Sequence, residues 1–145
     1  MNIDIINQTK QRLPRQYITS WLVHVEKQLI KKNIIKKKQI NELNIIFMSR
    51  SKIKNLNNKY RDKNKPTDVL SFSGGFGLLG ELVLCPEICQ KQALENKHSF
   101  RDEVAYLVLH GLLHLLGYEH EGSKVKAQIM YKLQDDIFKS ISSFN

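Results

Sequence analysis

A chain of 145 residues is long enough to bury one hydrophobic core and fits a single domain over 1–145. Its 41% hydrophobic and 26% charged residues exclude a largely disordered chain. The 23 Lys plus Arg against 14 Asp plus Glu leave a charge of +9, a field that draws nucleic acid or anionic membrane and fixes nothing about the fold. The richness in Lys, Asn and Ile is equally what drift toward A and T codons produces, so charge alone names no ligand.

In chain order, residues 2–7 alternate as a strand does, and a secretory signal is not expected, because Asp4 falls where its apolar run should lie. Pro14 suits a helix start, and Ile18, Leu22, Val25 and Leu29 then recur at helical spacing to about residue 32. Trp21 on that helix reads as core and His24 as a surface residue. Residues 43–48 read as a buried strand and 51–60 as a short polar helix. The basic turn 61–66 leads through Pro66 into a strand over 68–72. A loop with Gly74, Gly75, Gly77 and Gly80 then connects to a strand over 81–84. No helix follows these glycines, so they make a hairpin-type connection and not a phosphate-binding loop. Three helices are expected late, over 86–96, 99–116 and 123–141. The sum is an α+β domain, a mixed four-stranded sheet with helices packed mainly on one face.

Cys85 and Cys89 fall on either side of a strand-to-helix junction at Pro86 and read as small packed side chains with free thiols. The most apolar stretch, 104–116, is too short to span a bilayer and carries two histidines. A cytoplasmic location without membrane attachment is expected.

The chemistry concentrates in the fourth helix. Ser99 and Asp102 form an S-x-x-D capping box at its start, and Gly117 supplies its C-terminal stop. Between them His110 and His114 lie four residues apart and project from one face, one turn above the other. The chain turns at Gly117 and returns His120 toward the same point, giving H-x-x-x-H-x-x-x-x-x-H at the end of a central buried helix. Imidazoles set among Leu112, Leu113, Leu115 and Leu116 need a partner to offset desolvation. The spacing predicts a metal ion, expected to be one zinc, as that partner. Three neutral nitrogen ligands leave a fourth position open, where a bound water falls to a pKa of about 7. A purely structural zinc would be closed by a fourth protein ligand. The rival reading is a divergent metallopeptidase with the long zincin motif, but that chemistry needs Glu directly after the first His, and Gly111 stands there.

Two blocks carry a resemblance. HGLLHLLGYEH over 110–120 resembles the HGxLHLxGYDH signature of the YbeY-type bacterial rRNA maturation factors, which are zinc-dependent endoribonucleases. YRDKNKPTDVLSF over 60–72 is similar to that family's YRxxxxPTDVLSF region, and GELVLC over 80–85 looks like its following strand. The resemblance implies zinc on His110, His114 and His120, catalytic roles for His114 and Arg61, and single-stranded RNA as substrate. It further implies maturation of the 3′ end of 16S rRNA, ribosome quality control, and contact with the ribosome, a ribosomal protein and an assembly GTPase. Arg61 suits bidentate phosphate contact, with Lys59, Lys63 and Lys65 nearby. Either zinc-bound water or a 2′-hydroxyl would attack phosphorus. The alternative within the same resemblance is a ribosome-assembly factor with a structural zinc that binds RNA without cutting it. Glu119 stands for the family's usual Asp, Glu81 for another, and Ser73 for a common proline; Glu119 reads as a carboxylate near the metal or as an exposed loop residue.

Overall fold

The structure, a computed structural model, describes residues 1–36, 42–75 and 77–144. Among these the order is β1 (Asn2–Asn7), α1 (Arg15–Lys31), β2 (Glu42–Phe47), α2 (Arg50–Arg61), β3 (Val69–Ser73), β4 (Leu78–Leu84), α3 (Pro86–Asn96), α4 (Phe100–Leu115) and α5 (Lys124–Phe138), closed by a 3-10 turn at Lys139–Ser142. The strands form one mixed sheet in the order β1-β2-β4-β3. β1, β2 and β4 run parallel, and β3 returns antiparallel on β4, as the glycine-bearing hairpin requires.

Alternation along the strands sorts the side chains into two clusters. Leu43, Ile45, Phe47, Leu82 and Leu84 face the large one, together with Ile18, Trp21, Leu22, Val25 and Leu29 of α1 and the apolar residues of α4. The predicted helical spacing of α1 is therefore its buried face. Trp21 is core, and its indole N–H donates to the Ala105 carbonyl at 2.9 Å, which pins α1 to α4. The opposite face carries a small cluster of Met48, Ile53, Leu70, Val83 and Cys85, covered by α2. The helices thus lie mainly on one side, as the pattern predicts.

Four local expectations shift. β4 begins at Leu78, so Gly80 lies inside the strand instead of the loop. The partners of Glu42 and Leu43 skip from Leu78 to Gly80, a bulge. A Cβ on Gly80 would come within 2.4 Å of the Phe72 carbonyl oxygen, so this crossing of β3, β4 and Leu115 demands glycine. Arg61 is the last residue of α2 and not the first of the turn. His24 is half-buried, bonded to Ser140 Oγ at 2.7 Å and stacked on Trp21. The capping box at α4 is half-made. Ser99 Oγ accepts the Asp102 N–H at 3.2 Å, worth about 1 kcal/mol, but the Asp102 carboxylate turns away to accept the Tyr17 hydroxyl. Cys85 and Cys89 are fully buried free thiols, and burial pushes the Cys89 thiol far above its ordinary range. No helix among the described residues is long and apolar enough to cross a membrane.

Candidate metal centre and cleft

α4 is sunk in the core, with nine buried residues from Glu103 to Leu113. Its burial depends on Gly111. A Cβ there would lie 2.6 Å from Leu82 Cδ2 and 3.2 Å from Ser71 Oγ, so glycine is what lets the helix rest on β3 and β4. The Ser71 hydroxyl donates to the Gly111 carbonyl across this gap at 3.4 Å. Position 111 therefore faces the sheet. A protease's Glu could not be housed there, which removes the peptidase reading on steric as well as chemical grounds.

At the C-terminus of α4, Gly117 takes φ +101, open to glycine and strained for other residues. Its N–H bonds the His114 carbonyl and the Tyr118 N–H bonds the Leu113 carbonyl, both at 3.0 Å. This pair is a Schellman closure, and it folds the chain back over the last turn. His120 arrives beside the helical histidines by that route.

Ligand atoms of His110, His114 and His120 lie within 4.8 Å of one another. His110 Nε2 and His114 Nε2 are 3.2 Å apart. Two nitrogens at about 2 Å from a tetrahedral zinc stand roughly 3.3 Å apart, so the pair already has the bite of such an ion. Protonation is suited to it as well. Burial first, then the neighbouring imidazoles, lowers the His114 pKa; burial first lowers that of His110, and the Gln134 hydrogen bond opposes it. Both rings are therefore neutral near pH 7, the form that ligates. His110 Nδ1 bonds Gln134 Oε1 at 2.8 Å. An amide oxygen can only accept, so Nδ1 carries the proton and Nε2 keeps its lone pair for the metal. Tyr131 of α5 lies against His110 and His120, with ring centroids 6.2 and 5.9 Å away.

The triad opens into a cleft of about 1270 Å³. Arg61, Tyr60, Asp68, Ser71 and Phe72 line the wall from α2 and β3, while the histidines, Glu119, Glu121 and Tyr131 line the other. The structure thus brings Arg61 and the three histidines into one cavity, as the sequence anticipates. Arg61 Nη2 lies 3.4 Å from Glu121 Oε1 across the cleft, the arginine partly covered and the glutamate largely in solvent. Glu119 also borders the cleft but points its carboxylate to Lys126, 3.5 Å away. Glu121, Gln134 and Tyr131 are contributions that sequence reasoning missed. Asp68 was seen only as part of a motif; here its charge favours protonation of His110, and its carboxylate accepts the Val69 N–H at 2.7 Å. The cysteines take no part, and among the described residues the histidine triad is the cluster able to hold a metal ion.

The family model of the endoribonuclease YbeY matches residues 4–142, nearly the whole chain. The chain belongs to the endoribonuclease YbeY family. Relatives bearing that name include one from Bdellovibrio bacteriovorus, 41% identical over 96% of this chain and 94% of its own length. Another, from Buchnera aphidicola, is 37% identical over 98% and 90%. A solution structure of a Thermotoga maritima protein superposes with a TM-score of 0.64 at 30% identity, covering 96% of this chain and 88% of that one. Membership of the family takes in the first fifty residues too, where the sequence resemblance rests on element order alone.

Proposed function

We propose that residues 1–145 form a single zinc-dependent endoribonuclease domain that cleaves phosphodiester bonds of single-stranded RNA. The observation that carries this reading is the meeting of three histidines and one arginine in one solvent-open cleft. His110, His114 and His120 would hold the zinc, which supplies Lewis acidity toward a phosphoryl oxygen and the nucleophile. Arg61 offers a planar fork that matches two phosphate oxygens and stabilises charge growing on them in the transition state. Glu121 holds the arginine in the cleft until a phosphate competes for it. Gln134 keeps the His110 ring in its ligating tautomer. The openness of the cleft over the triad favours catalysis over a closed structural zinc.

The family reading places this activity in maturation of the 16S rRNA 3′ end and in ribosome quality control. The partners it brings are the ribosome, a ribosomal protein and an assembly GTPase, and the location is the cytoplasm. The decisive experiment combines metal analysis with cleavage of a labelled single-stranded RNA by the wild type, His114→Ala and Arg61→Ala. The reading expects one zinc per chain in the wild type and in Arg61→Ala, none in His114→Ala, and cleavage at the full rate in the wild type alone. Zinc with no turnover in a nuclease-free wild type would leave an assembly factor that binds RNA without cutting it. A 2′,3′-cyclic phosphate end would identify the 2′-hydroxyl as the attacking group.

A further inference from the structure

Tyr60 is more exposed than burial of an aromatic ring would favour. It is 58% exposed, the most open of the cleft's aromatic residues. Tyr131, the next, is 41% exposed and already lies against two of the histidines. Tyr106 packs edge-on against Phe138, and Tyr118 joins the main core. Tyr60 is held without being covered. Phe72 of β3 meets it edge to face at 5.3 Å and 72°, and the Lys59 ammonium stands 5.2 Å from its ring centroid. Such bracing fixes the ring's attitude, which lowers the ordering cost of any group that stacks on it.

The surroundings say what that group is. Tyr60 directly precedes Arg61 at the end of α2, and the stretch 59–65 carries Lys59, Arg61, Lys63 and Lys65 against Asp62 alone. All four cations are exposed. A flat ring interleaved with cations is how proteins hold single strands, with charge on the phosphates and the ring under a base. We propose that Tyr60, braced by Phe72, is a stacking subsite for a nucleobase of the strand whose phosphate Arg61 receives. Every base has a π-face, so the subsite selects an unstacked strand and not a sequence. The proposal rests on the RNA reading above only for the identity of the strand.

The test is fluorescence anisotropy with two labelled ten-nucleotide probes, oligoadenylate with 2′-O-methyl sugars and the same backbone with every base removed, gels confirming that both stay intact. Wild-type protein should bind the base-bearing strand at least about tenfold more tightly than the abasic one. Tyr60→Ala and Tyr60→Leu should bind the base-bearing strand about tenfold more weakly and the abasic strand unchanged, while Tyr60→Phe behaves as wild type. Arg61→Ala should weaken both strands alike, because it meets phosphate. Equal loss on both strands in Tyr60→Ala, recovery in Tyr60→Leu, or no preference for bases in the wild type would each overturn the subsite. Cleavage of an unmodified oligoadenylate is scored separately. A wild type that prefers bases but never cleaves overturns the nuclease reading and leaves the subsite standing.

Discussion

The two walls of the cleft are anchored very differently. Nine buried residues hold α4, which carries His110 and His114, whereas two, Ile53 and Asn57, hold α2, which carries Arg61. The histidine wall belongs to the large core shared with α1, β2 and β4; the arginine wall sits over the small cluster on the far face of the sheet. A metal needs ligand atoms fixed to a few tenths of an ångström before it arrives, and a buried helix supplies that. A polymer's phosphate must enter and leave, and a charged side chain at the exposed end of a short helix suits that task.

The contrast is broken or upheld first by the two alanine variants. His114→Ala should lose both zinc and cleavage. Arg61→Ala should keep its zinc while the cleavage rate falls about 10²–10³-fold, the cost of one donor to a developing oxyanion. Zinc loss from Arg61→Ala, read by plasma emission spectrometry, would show that the two walls are not independent. Next comes Gln134→Leu, which leaves His110 Nδ1 without its acceptor and should weaken zinc binding about 10–100-fold in a chelator competition. Undiminished affinity would deny that the His110 tautomer is set from α5.

A third measurement follows metal-free stability against pH. Above about pH 6.5 His110 and His114 are neutral whether folded or unfolded. Below it the unfolded chain takes up protons that the folded wall resists, because the folded pKa values are lowered by burial first. Stability should therefore drop as pH falls from 6.5 through those lowered values and then level off. His110→Asn with His114→Asn should flatten that part of the melting-temperature profile. The smallest effect belongs to the arginine wall. Glu121→Gln removes the carboxylate that competes with phosphate for Arg61 and should tighten binding of the oligoadenylate probe by a few-fold at low salt, less at high salt. Weaker binding would mean that Glu121 is needed to present the arginine.

What the sequence disclosed was whatever depends on near neighbours. The histidine pair, the glycine stop and the α1 stripe follow from helical spacing and were readable directly. Membership in the family was readable from two blocks. Gln134 and Glu121 were not, since their partners His110 and Arg61 stand 24 and 60 residues away and a glutamine on a helix looks like any polar surface residue. Asp102 was assigned to a cap because its partner Tyr17 lies 85 residues back. Gly80 was counted with the loop because the close approach of Phe72 that requires it arises only when β3 and β4 pair.

The hydrogen bond from His110 to Gln134 also orders events in time. Chains leave the ribosome N-terminus first, and domains organise as they emerge. The sheet, α1 and all three histidines are made before Gln134 of α5. A nascent chain that stops short of α5 has its three imidazoles but lacks the acceptor that sets the His110 proton. Full affinity for metal is thus one of the last properties the growing polypeptide acquires, arriving with the same helix whose Met130 and Ile137 complete the apolar core.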